Sequence, residues 1–478
     1  MFRPGERVPI DGVVIEGESA LDTSALTGES LPRPCAAGDE ISSGCVSLTG
    51  LLRIRTTKPF GESAVSRILR LAQESSERKA RPERFITRFA RIYTPAVCAA
   101  ALLLALLPPL INLARGADPG WTGYIESALT FLVISCPCAL VISVPLGFFG
   151  GMGGASTRGV LFKGAAGIEA LAGTRCVVFD KTGTLTGGEF EVRAVRPEPG
   201  TSRERLLELA ALAESWSNHP ISRSLVEAAG APEARERVTQ AHEEQGGGVS
   251  ARVDGKLVCA GNRRYMRKLG ITCEDPEDAA TVVHLAEDGA YLGCILLADA
   301  PKPGAKAAAA AVEALGASVV MLTGDSERAA RLTAEELGIT RYEAGLLPGG
   351  KVEALEKLMA ENRGLTAFVG DGVNDAPVLA RADVGVAMGA LGSDAAIEAA
   401  DVVIMDDDPA KLPLAMRLSR RCMGIVRANI VFAIGVKLAF LALGALGAVS
   451  MSMAIFADVG VMVLAVMNSM RTLRTRAL

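Results

Sequence analysis

The sequence predicts a multidomain membrane protein that combines α-helical transmembrane segments with a small β-rich domain and a doubly wound α/β domain. The 478-residue chain is 49% hydrophobic and has a mean hydropathy of +0.30, which is too apolar for a wholly soluble enzyme of this length. Outside the apolar stretches, strand-like runs rich in valine alternate with helical runs. That alternation is typical of a parallel sheet covered by helices.

Charge and cysteine content narrow the class further. The formal net charge is −4, and the basic residues are dispersed among a slightly larger number of acidic ones, so no nucleic-acid partner is indicated. The ten cysteines form no disulfide framework, and several lie in apolar runs, which is typical of a reducing compartment. We therefore expect no disulfides.

Four apolar segments approach the roughly 20 residues that a helix needs to cross hydrocarbon. They cover residues 93–113, 123–150, 425–447 and 449–468. Lys and Arg residues gather before the first and third segments and after the second and fourth, whereas the loop between the first two holds only Arg115. The positive-inside rule then places the N-terminal part, the 151–424 insert and the C-terminus in the cytoplasm.

The remaining chain divides by its periodicity. Residues 1–60 contain short valine and isoleucine strands separated by Gly and Pro turns, which predicts a small β-rich domain. The long insert has strand-like runs at 176–180, 318–325, 366–372 and 384–389. Between the first two of these runs, residues 190–295 have a helix and strands of their own, which indicates a domain inserted into a domain.

The strongest chemical signal is CVVFDKTGTLTG at residues 176–187. An apolar strand ends there in Asp180, and ligands of open parallel sheets bind at the carboxyl ends of strands. Asp180 is therefore placed to attack a phosphorus atom as a nucleophile.

Three more elements follow later strands of the same sheet. They are Thr323, Gly324 and Asp325 in MLTGD, Lys351 in LPGGK, and Asp371 with Asp375 in FVGDGVNDAP. Together they supply a carboxylate nucleophile, a hydroxyl and a lysine for phosphoryl oxygens, and acids for a magnesium ion.

These motifs, DKTGTLT, TGD and GDGVNDAP, resemble those of the P-type ATPases. The resemblance implies an aspartyl-phosphate formed from ATP on Asp180 within a motif that also supplies Lys181, Thr182 and Thr184. It implies magnesium held by Asp180, Asp371, Asp375 and the Thr182 carbonyl.

It also implies a domain order. We expect an actuator domain at 1–80 that is incomplete at its N-terminus, and two transmembrane helices at 81–150. A haloacid-dehalogenase-like phosphorylation domain is expected at 151–189 and 296–424, an inserted α+β nucleotide-binding domain at 190–295, and two further helices with a tail at 425–478.

Soluble phosphatases of the haloacid dehalogenase type share this sheet and are the main alternative. They carry a second aspartate two residues after the nucleophile as an acid/base, and here that position is Thr182. Without such a base a phosphoenzyme should persist. TGES resembles the actuator loop of the P-type ATPases, which implies that Thr27, Gly28 and Glu29 bring the hydrolytic water to Asp180.

ESWSNHPIS at 214–222 resembles the nucleotide pocket of the metal-transporting branch. The resemblance places Glu214 and His219 near adenine. Gly246 and Gly248, with Gly261 and Asn262, would let the backbone approach ATP closely.

The run FLVISCPCALVISVPL carries two cysteines around a proline. Free cysteine also packs as a small hydrophobe, and membrane helices tolerate proline. However, Pro137 releases the Val133 carbonyl and unwinds the helix, so that Cys136 and Cys138 can converge on one ion. Thiolates favour copper(I), zinc and heavier relatives, and the pattern resembles the transport site of heavy-metal P-type ATPases.

Two charged residues lie within the last two spans. Lys437 and Asp458 resemble the pattern of the zinc/cadmium/lead subclass, and charges inside a membrane usually mark an ion path. A purely structural ion pair between them is the alternative, and it is compatible with a counter-ion role.

The expectation is thus a heavy-metal-transporting P-type ATPase, truncated at its N-terminus, that exports zinc, cadmium or lead from the cell across the plasma membrane with ATP and Mg²⁺. Lipid, ATP and metal ions are the expected partners, and the sequence names no protein partner. A copper(I) transporter and a phosphatase-like or inactive fragment remain as alternatives.

Overall fold

The computed structural model describes most of the chain. The described residues are 1–23, 33–57, 59, 84–135, 138–217, 219–230, 235–244, 247–277, 281–389, 394–445 and 451–475. They form two compact units. One comprises Met1–Ser76 and Thr174–Leu412, and the other Glu77–Gly173 and Pro413–Leu478.

The helices and strands are numbered separately in chain order. The α-helices are α1 Arg84–Ala114, α2 Trp121–Ile134, α3 Cys138–Ser156, α4 Ala165–Ala172, α5 Arg203–Glu214, α6 Pro220–Ala228, α7 Arg263–Lys268, α8 Ala305–Ala314, α9 Glu327–Leu337, α10 Pro348–Glu361, α11 Ala376–Arg381, α12 Asp394–Ala399, α13 Lys411–Ala445 and α14 Met451–Ser469. The strands are β1 Gly12–Glu16, β2 Ser19–Asp22, β3 Arg33–Cys35, β4 Glu40–Ile41, β5 Val46–Ser47, β6 Arg53–Thr56, β7 Val160–Phe162, β8 Thr174–Asp180, β9 Thr186–Pro197, β10 Val238–Glu244, β11 Gly248–Val253, β12 Lys256–Gly261, β13 Thr281–Glu287, β14 Ala290–Pro301, β15 Ser318–Leu322, β16 Arg341–Glu343, β17 Leu365–Gly370, β18 Val384–Met388 and β19 Val402–Ile404.

The N-terminal strands form the expected small β-rich domain. Two three-stranded antiparallel sheets, β4-β1-β6 and β3-β2-β5, enclose a core that includes Val8, Val14, Leu21 and Leu52. Such short strands can form a stable domain because each sheet buries one of its faces against the other sheet.

The strand that ends in Asp180 lies in the middle of a parallel sheet. Within this unit, the order of strands across the sheet is β16-β15-β8-β17-β18-β19. Every residue of β8 except Arg175 is buried, as expected for a strand covered on both faces. The carboxyl ends of β8, β15 and β17 therefore lie at one edge, as the sequence predicts.

A six-stranded antiparallel sheet stands between β8 and β15 in the chain. Its order is β10-β11-β12-β13-β14-β9, and one face packs on α5 and α6 through Leu209, Leu212 and Leu225. The long strands β9 and β14 pair side by side and lead out of and back into the parallel sheet. This is the inserted domain expected from residues 190–295.

The second unit is helical. Among the described residues, four helical stretches are long and apolar enough to span a membrane: Tyr93–Ala114, Trp121–Ser156, Lys411–Leu443 and Ile455–Leu473. The second is interrupted, since α2 ends at Ile134 and α3 begins at Cys138. The third begins well before the predicted residue 425, because Leu412, Leu414 and Ala415 continue the buried helical pattern.

Residues 151–173 group with the helical unit, whereas the sequence places them with the phosphorylation domain. That boundary stays a prediction, as do the other domain boundaries.

Candidate active site

Asp180 lies at the buried centre of a cluster of charged side chains. Its Oδ1 accepts a hydrogen bond from Lys351 Nζ at 2.6 Å, and the same ammonium donates to Asp375 Oδ1 at 3.0 Å. Lys351 reaches them from the first turn of α10 with a side chain that is 2% exposed. The structure thus brings together residues from three separate motifs.

Asp371 completes a set of three carboxylates with Asp180 and Asp375. One oxygen from each lies within 4.8 Å of the others. Gly183 makes room for Asp371, because a Cβ there would lie 1.9 Å from Asp371 Oδ2. Gly183 also has φ +77°, a conformation that glycine adopts without strain.

This carboxylate set fits a magnesium ion. Asp375 is fully buried, yet its Oδ2 has no hydrogen-bond partner among the described residues. Burial, and then the neighbouring Asp375, raise the pKa of Asp180 to about 8. The pKa of Asp371 is raised to about 7 for the same two reasons. Oxygen-rich sites with excess negative charge are those that Mg²⁺ prefers.

The lysines remain charged in this setting. Burial lowers the pKa of Lys351, but Asp180 and Asp375 outweigh that effect, and its pKa is raised. The same balance, set by Asp325 and Asp299, raises the pKa of Lys181.

Lys181 points away from the carboxylate set into a second ion-pair group. It contacts Asp325, and its Nζ lies 3.1 Å from Asp299 Oδ2. Asp299 also accepts hydrogen bonds from Thr186 Oγ1 at 2.5 Å and from the Gly188 N–H at 2.9 Å. Lys181 therefore connects the nucleophile loop to the TGD motif and to β14.

Sequence reasoning missed two residues of this region, Asp299 and Lys302, both in or just after β14. Lys302 Nζ donates to the Gly183 carbonyl and lies 2.7 Å from Asp407 Oδ2. Both residues come from ADAPK at 298–302, where acidic and basic residues flank a proline at the end of a strand. That local pattern is the signal that could have drawn attention to them.

The remaining predicted residues of this site have distinct environments. Thr184 is fully buried, and its hydroxyl has no hydrogen-bond partner within the described chain. Thr323 is 1% exposed, and its Oγ1 accepts the Asp325 N–H at 3.1 Å. Thr182 and Gly324 are half-buried. Thr182 has an extended backbone, φ −75° and ψ 131°.

The antiparallel sheet contains a cavity of about 260 Å³. The predicted nucleotide residues Glu214, His219, Gly248, Gly261 and Asn262 all line it. Gly248 and Gly261 are paired across β11 and β12, and a Cβ on Gly248 would lie 2.1 Å from the Ala260 carbonyl oxygen. Side chains at these two positions would therefore clash with the neighbouring strand.

Burial shifts the pKa values of two titratable groups in this cavity towards their neutral forms. Burial raises the pKa of Glu214 to about 7, although Ser222 Oγ donates to Glu214 Oε2 at 2.6 Å. Burial lowers the pKa of His219. The Nδ1 of His219 accepts the Ile221 N–H at 3.2 Å, which leaves Nε2 as the hydrogen-bearing nitrogen.

A pH-dependent stability of this sheet follows from Glu214. Because its folded pKa lies above its unfolded value, the folded state binds the extra proton. Stability should therefore fall as pH rises from 4.5 to about 7. Glu214→Gln should remove this loss, which amounts to up to ~3 kcal/mol. Urea unfolding followed by Trp216 fluorescence in a Trp121→Phe background measures it.

The matched control for that experiment is Glu227→Gln, an exposed glutamate on α6. It should leave the pH profile unchanged. A Glu214→Gln profile parallel to that of the unmodified protein would contradict the assignment.

In the helical unit, Lys437 Nζ lies 3.1 Å from Asp458 Oδ1. This distance defines an ion pair, although Asp458 Oδ1 makes no directed hydrogen bond with the described residues. Ala139 packs on Ala433 and Val461. Cys138 therefore begins α3 about one helical turn from the level of both charged residues.

Cys138 is half of a disulfide in this structure, so the expectation of no disulfides is wrong. Metal binding requires the reduced thiolate. Of the other predicted site residues, Thr27, Gly28, Glu29, Cys136 and Gly246 lie outside the described residues, and their roles stay predictions.

Comparison with known protein families agrees with this geometry. Residues 1–73 match the P-type ATPase actuator domain, and residues 174–383 match the haloacid dehalogenase-like hydrolases. The chain is 50% identical over 480 residues to the cadmium, zinc and cobalt-transporting ATPase of Bacillus subtilis (strain 168), covering 100% of this chain and 68% of that protein. The chain belongs to the metal-transporting P-type ATPases.

Other relatives support this membership. The zinc-transporting ATPase of Synechocystis sp. (strain ATCC 27184 / PCC 6803 / Kazusa) is 48% identical, with 98% of this chain and 65% of that protein covered. The crystal structure of a zinc-transporting PIB-type ATPase in the E2.Pi state superposes with a TM-score of 0.90 at 38% identity, covering 99% of this chain and 78% of that one. The chain thus spans about two-thirds of the length of these two relatives.

The P-type ATPase fold expected from the sequence is therefore confirmed. It comprises a β-rich actuator domain, a haloacid-dehalogenase-like phosphorylation domain with an inserted nucleotide-binding domain, and membrane-spanning helices. The soluble phosphatase alternative is wrong for the chain as a whole, because membership of this family covers the helical unit as well.

Proposed function

We propose that this metal-transporting P-type ATPase couples ATP hydrolysis to the export of zinc, cadmium or lead. The observation that carries the phosphoryl-transfer part is the contact of Lys351 with both Asp180 and Asp375 beside Asp371. The assignment of the exported ion rests on the Lys437–Asp458 pair near Cys138, and on the relatives that are named for cadmium and zinc transport.

Asp180 acts as the nucleophile in this proposal. One of its carboxylate oxygens bonds to the γ-phosphorus of ATP, and the bond between that phosphorus and the β,γ-bridging oxygen breaks, so that ADP leaves. Lys351 stabilises the phosphoryl oxygens, with Thr323 and Gly324 at the adjacent strand end. Lys181 holds the nucleophile loop through Asp299 and Asp325.

The magnesium site consists of Asp180, Asp371, Asp375 and the Thr182 carbonyl. When bound there, Mg²⁺ supplies neutralising charge to the phosphoryl group. The nucleotide cavity orients the base of ATP. Protonated Glu214 and the Nε2–H of His219 both offer hydrogen-bond donors to its ring nitrogens.

Hydrolysis of the acyl phosphate needs a base. Thr182 occupies the position where soluble phosphatases carry an aspartate, and its hydroxyl does not supply that base. Glu29 of the TGE segment accepts a proton from the attacking water in this proposal, and the water oxygen bonds to phosphorus while Asp180 is released. The catalytic domains lie on the cytoplasmic side, and the partners are the lipid bilayer, ATP and the exported ion.

Cys136, Cys138 and Asp458 form the transport site in this proposal, with Lys437 as the counter-ion after the metal leaves. Two sulfurs with one carboxylate oxygen suit zinc and its heavier relatives. A carboxylate adds nothing for copper(I), which prefers soft ligands alone.

The rate of ATP hydrolysis in the presence of different metal ions tests which ion is transported. In reduced membranes that contain the protein, Zn²⁺, Cd²⁺ and Pb²⁺ should stimulate hydrolysis at least about 10-fold, an effect of ~1.4 kcal/mol on the barrier. Asp458→Ala should abolish the stimulation and retain ATP binding. Glu126→Ala, which removes an exposed carboxylate on α2, is the control. Stimulation by copper(I) alone, unaffected by Asp458→Ala, would establish the copper alternative instead.

A further inference from the structure

A second group of polar side chains lies buried in the helical unit, apart from Lys437 and Asp458. Asn429 on α13 is 2% exposed, and Ser469 at the end of α14 is fully buried. Buried amides and hydroxyls inside a membrane protein need hydrogen-bond partners, because hydrocarbon supplies none. Their partners show which helices they connect.

Both the nitrogen and the oxygen of the Asn429 amide make hydrogen bonds. Its Nδ2 donates to the Ala465 carbonyl at 3.0 Å and to Ser469 Oγ at 2.8 Å, and its Oδ1 accepts from Asn468 Nδ2 at 2.7 Å. Ser469 Oγ then donates to the Ser143 carbonyl on α3 at 2.7 Å. We call these four hydrogen bonds the Asn429 network.

The network joins the three helices that carry the transport-site residues. Cys138 is on α3, Lys437 on α13 and Asp458 on α14. Its connection to α3 runs through the single hydroxyl of Ser469. Hydrogen bonds between membrane helices are individually weak, so a few of them can break and re-form during a transport cycle.

The network lies between the transport site and the cytoplasmic ends of the helices. Asn429 precedes Lys437 by eight residues, which is about 12 Å along a helix. Ser469 follows Asp458 by eleven residues, or about 16 Å. Beyond the network, Arg421 and Arg471 mark the cytoplasmic end.

The helices are in close contact at this level. A Cβ on Gly147 of α3 would lie 3.1 Å from Val426 Cγ2 and 3.5 Å from Ser469 Oγ. One turn further on, a Cβ on Gly150 would lie 2.2 Å from Thr472 Oγ1. The contacts at Gly147 and Gly150 therefore leave little space between α3, α13 and α14 at the level of the network.

We propose that the Asn429 network is the cytoplasmic gate of the ion path. Its hydrogen bonds hold α3 against α13 and α14 and close the transport site to the cytoplasm. Admission of an ion requires the bond between Ser469 and the Ser143 carbonyl to break. This proposal rests on the proposed function for the identity of the ion, but the closure itself belongs to the three helices.

Thiol labelling tests the gate without ATP or metal. Inside-out membrane vesicles that contain the full chain are reduced and treated with a membrane-impermeant maleimide, and modification of Cys138 is timed by mass spectrometry. Asn429→Leu keeps the side-chain volume and removes three of the four hydrogen bonds. It should raise the rate at Cys138 at least 5-fold. Ser469→Ala, which removes the connection to α3, should raise it too.

Ser419→Ala is the matched control. Ser419 is also a buried hydroxyl residue on α13, but its Oγ has no hydrogen-bond partner among the described residues. The maleimide should modify Cys138 in the Ser419→Ala protein at the same rate as in the unmodified chain. Equal rates in all four proteins, or an equal rise in the Ser419→Ala protein, would overturn the gate. Absence of metal-stimulated hydrolysis in the unmodified protein would contradict only the proposed function.

Discussion

Asp180→Asn is expected to abolish phosphoenzyme formation from ATP and to lower ATP hydrolysis by at least about 10³-fold, since the variant lacks the nucleophile of a covalent mechanism. The fold should persist. Asparagine has nearly the same volume, and Lys351 keeps Asp375 as a partner at 3.0 Å. The substitution also removes one charge from three crowded carboxylates. Labelled ATP, acid quenching and hydroxylamine sensitivity of the bound label measure the acyl phosphate.

Asp401→Asn is the control for this experiment. Asp401 precedes β19 of the same parallel sheet, and its Oδ2 accepts the Gly385 N–H at 2.8 Å, a bond that the amide oxygen of asparagine can also accept. This variant should incorporate phosphate normally. Undiminished hydrolysis in Asp180→Asn would contradict the assignment of the nucleophile and, with it, the coupling of transport to Asp180.

The central part of the site could be predicted because parallel strands place their carboxyl ends at one edge. β8, β15 and β17 are adjacent in the sheet, so motifs that follow them in the sequence must meet in space. Prediction of the role of Lys351 requires one more observation. Its position in the first turn of α10 becomes meaningful only once that helix packs beside β8 and β17.

Asp299 and Lys302 could not be predicted in the same way. Both reach the nucleophile loop from the far end of β14, and Asp299 lies 118 residues from its partner Lys181. The pairing depends on the register of β14 with β9, which contains irregularities near Asp299. Periodicity in the sequence does not determine such a register.

The Asn429 network was missed for a related reason. Asn429 and Ser469 lie close to the ends of two apolar segments, separated by 40 residues. A single asparagine in such a segment can face lipid headgroups, a neighbouring helix or the backbone of its own helix. Only the packing of α3, α13 and α14 shows that its amide is fully used between helices.

Lys351→Met is expected to destabilise the parallel sheet and to abolish phosphorylation. Methionine retains the unbranched chain but leaves Asp180 and Asp375 buried without their shared cation. Removing one partner of a buried ion pair costs about 3–5 kcal/mol. Lys357→Met on the same helix is the control, because that side chain is exposed and surface substitutions change stability by less than about 0.5 kcal/mol.

The sign of the pH dependence distinguishes loss of the ion pair from loss of packing. The pKa of Asp180 is already raised to about 8 beside Lys351, and removal of the ammonium raises it further. The folded variant therefore keeps the Asp180 proton to a higher pH than the folded unmodified protein does, whereas both unfolded chains lose it near the ordinary carboxyl pKa of 3.8. Its deficit in unfolding free energy relative to the unmodified protein should therefore grow as pH rises through about 8. Denaturant-dependent hydrogen exchange in β8 and β17 at about pH 7 and about pH 9 measures it. Mg²⁺ should reduce this deficit, because a divalent cation between Asp180, Asp371 and Asp375 replaces the missing charge. A stability deficit that is equal at both pH values and unchanged by Mg²⁺ would contradict this account. It would mean that Lys351 contributes only side-chain volume to the core and that its charge does not compensate the buried carboxylates.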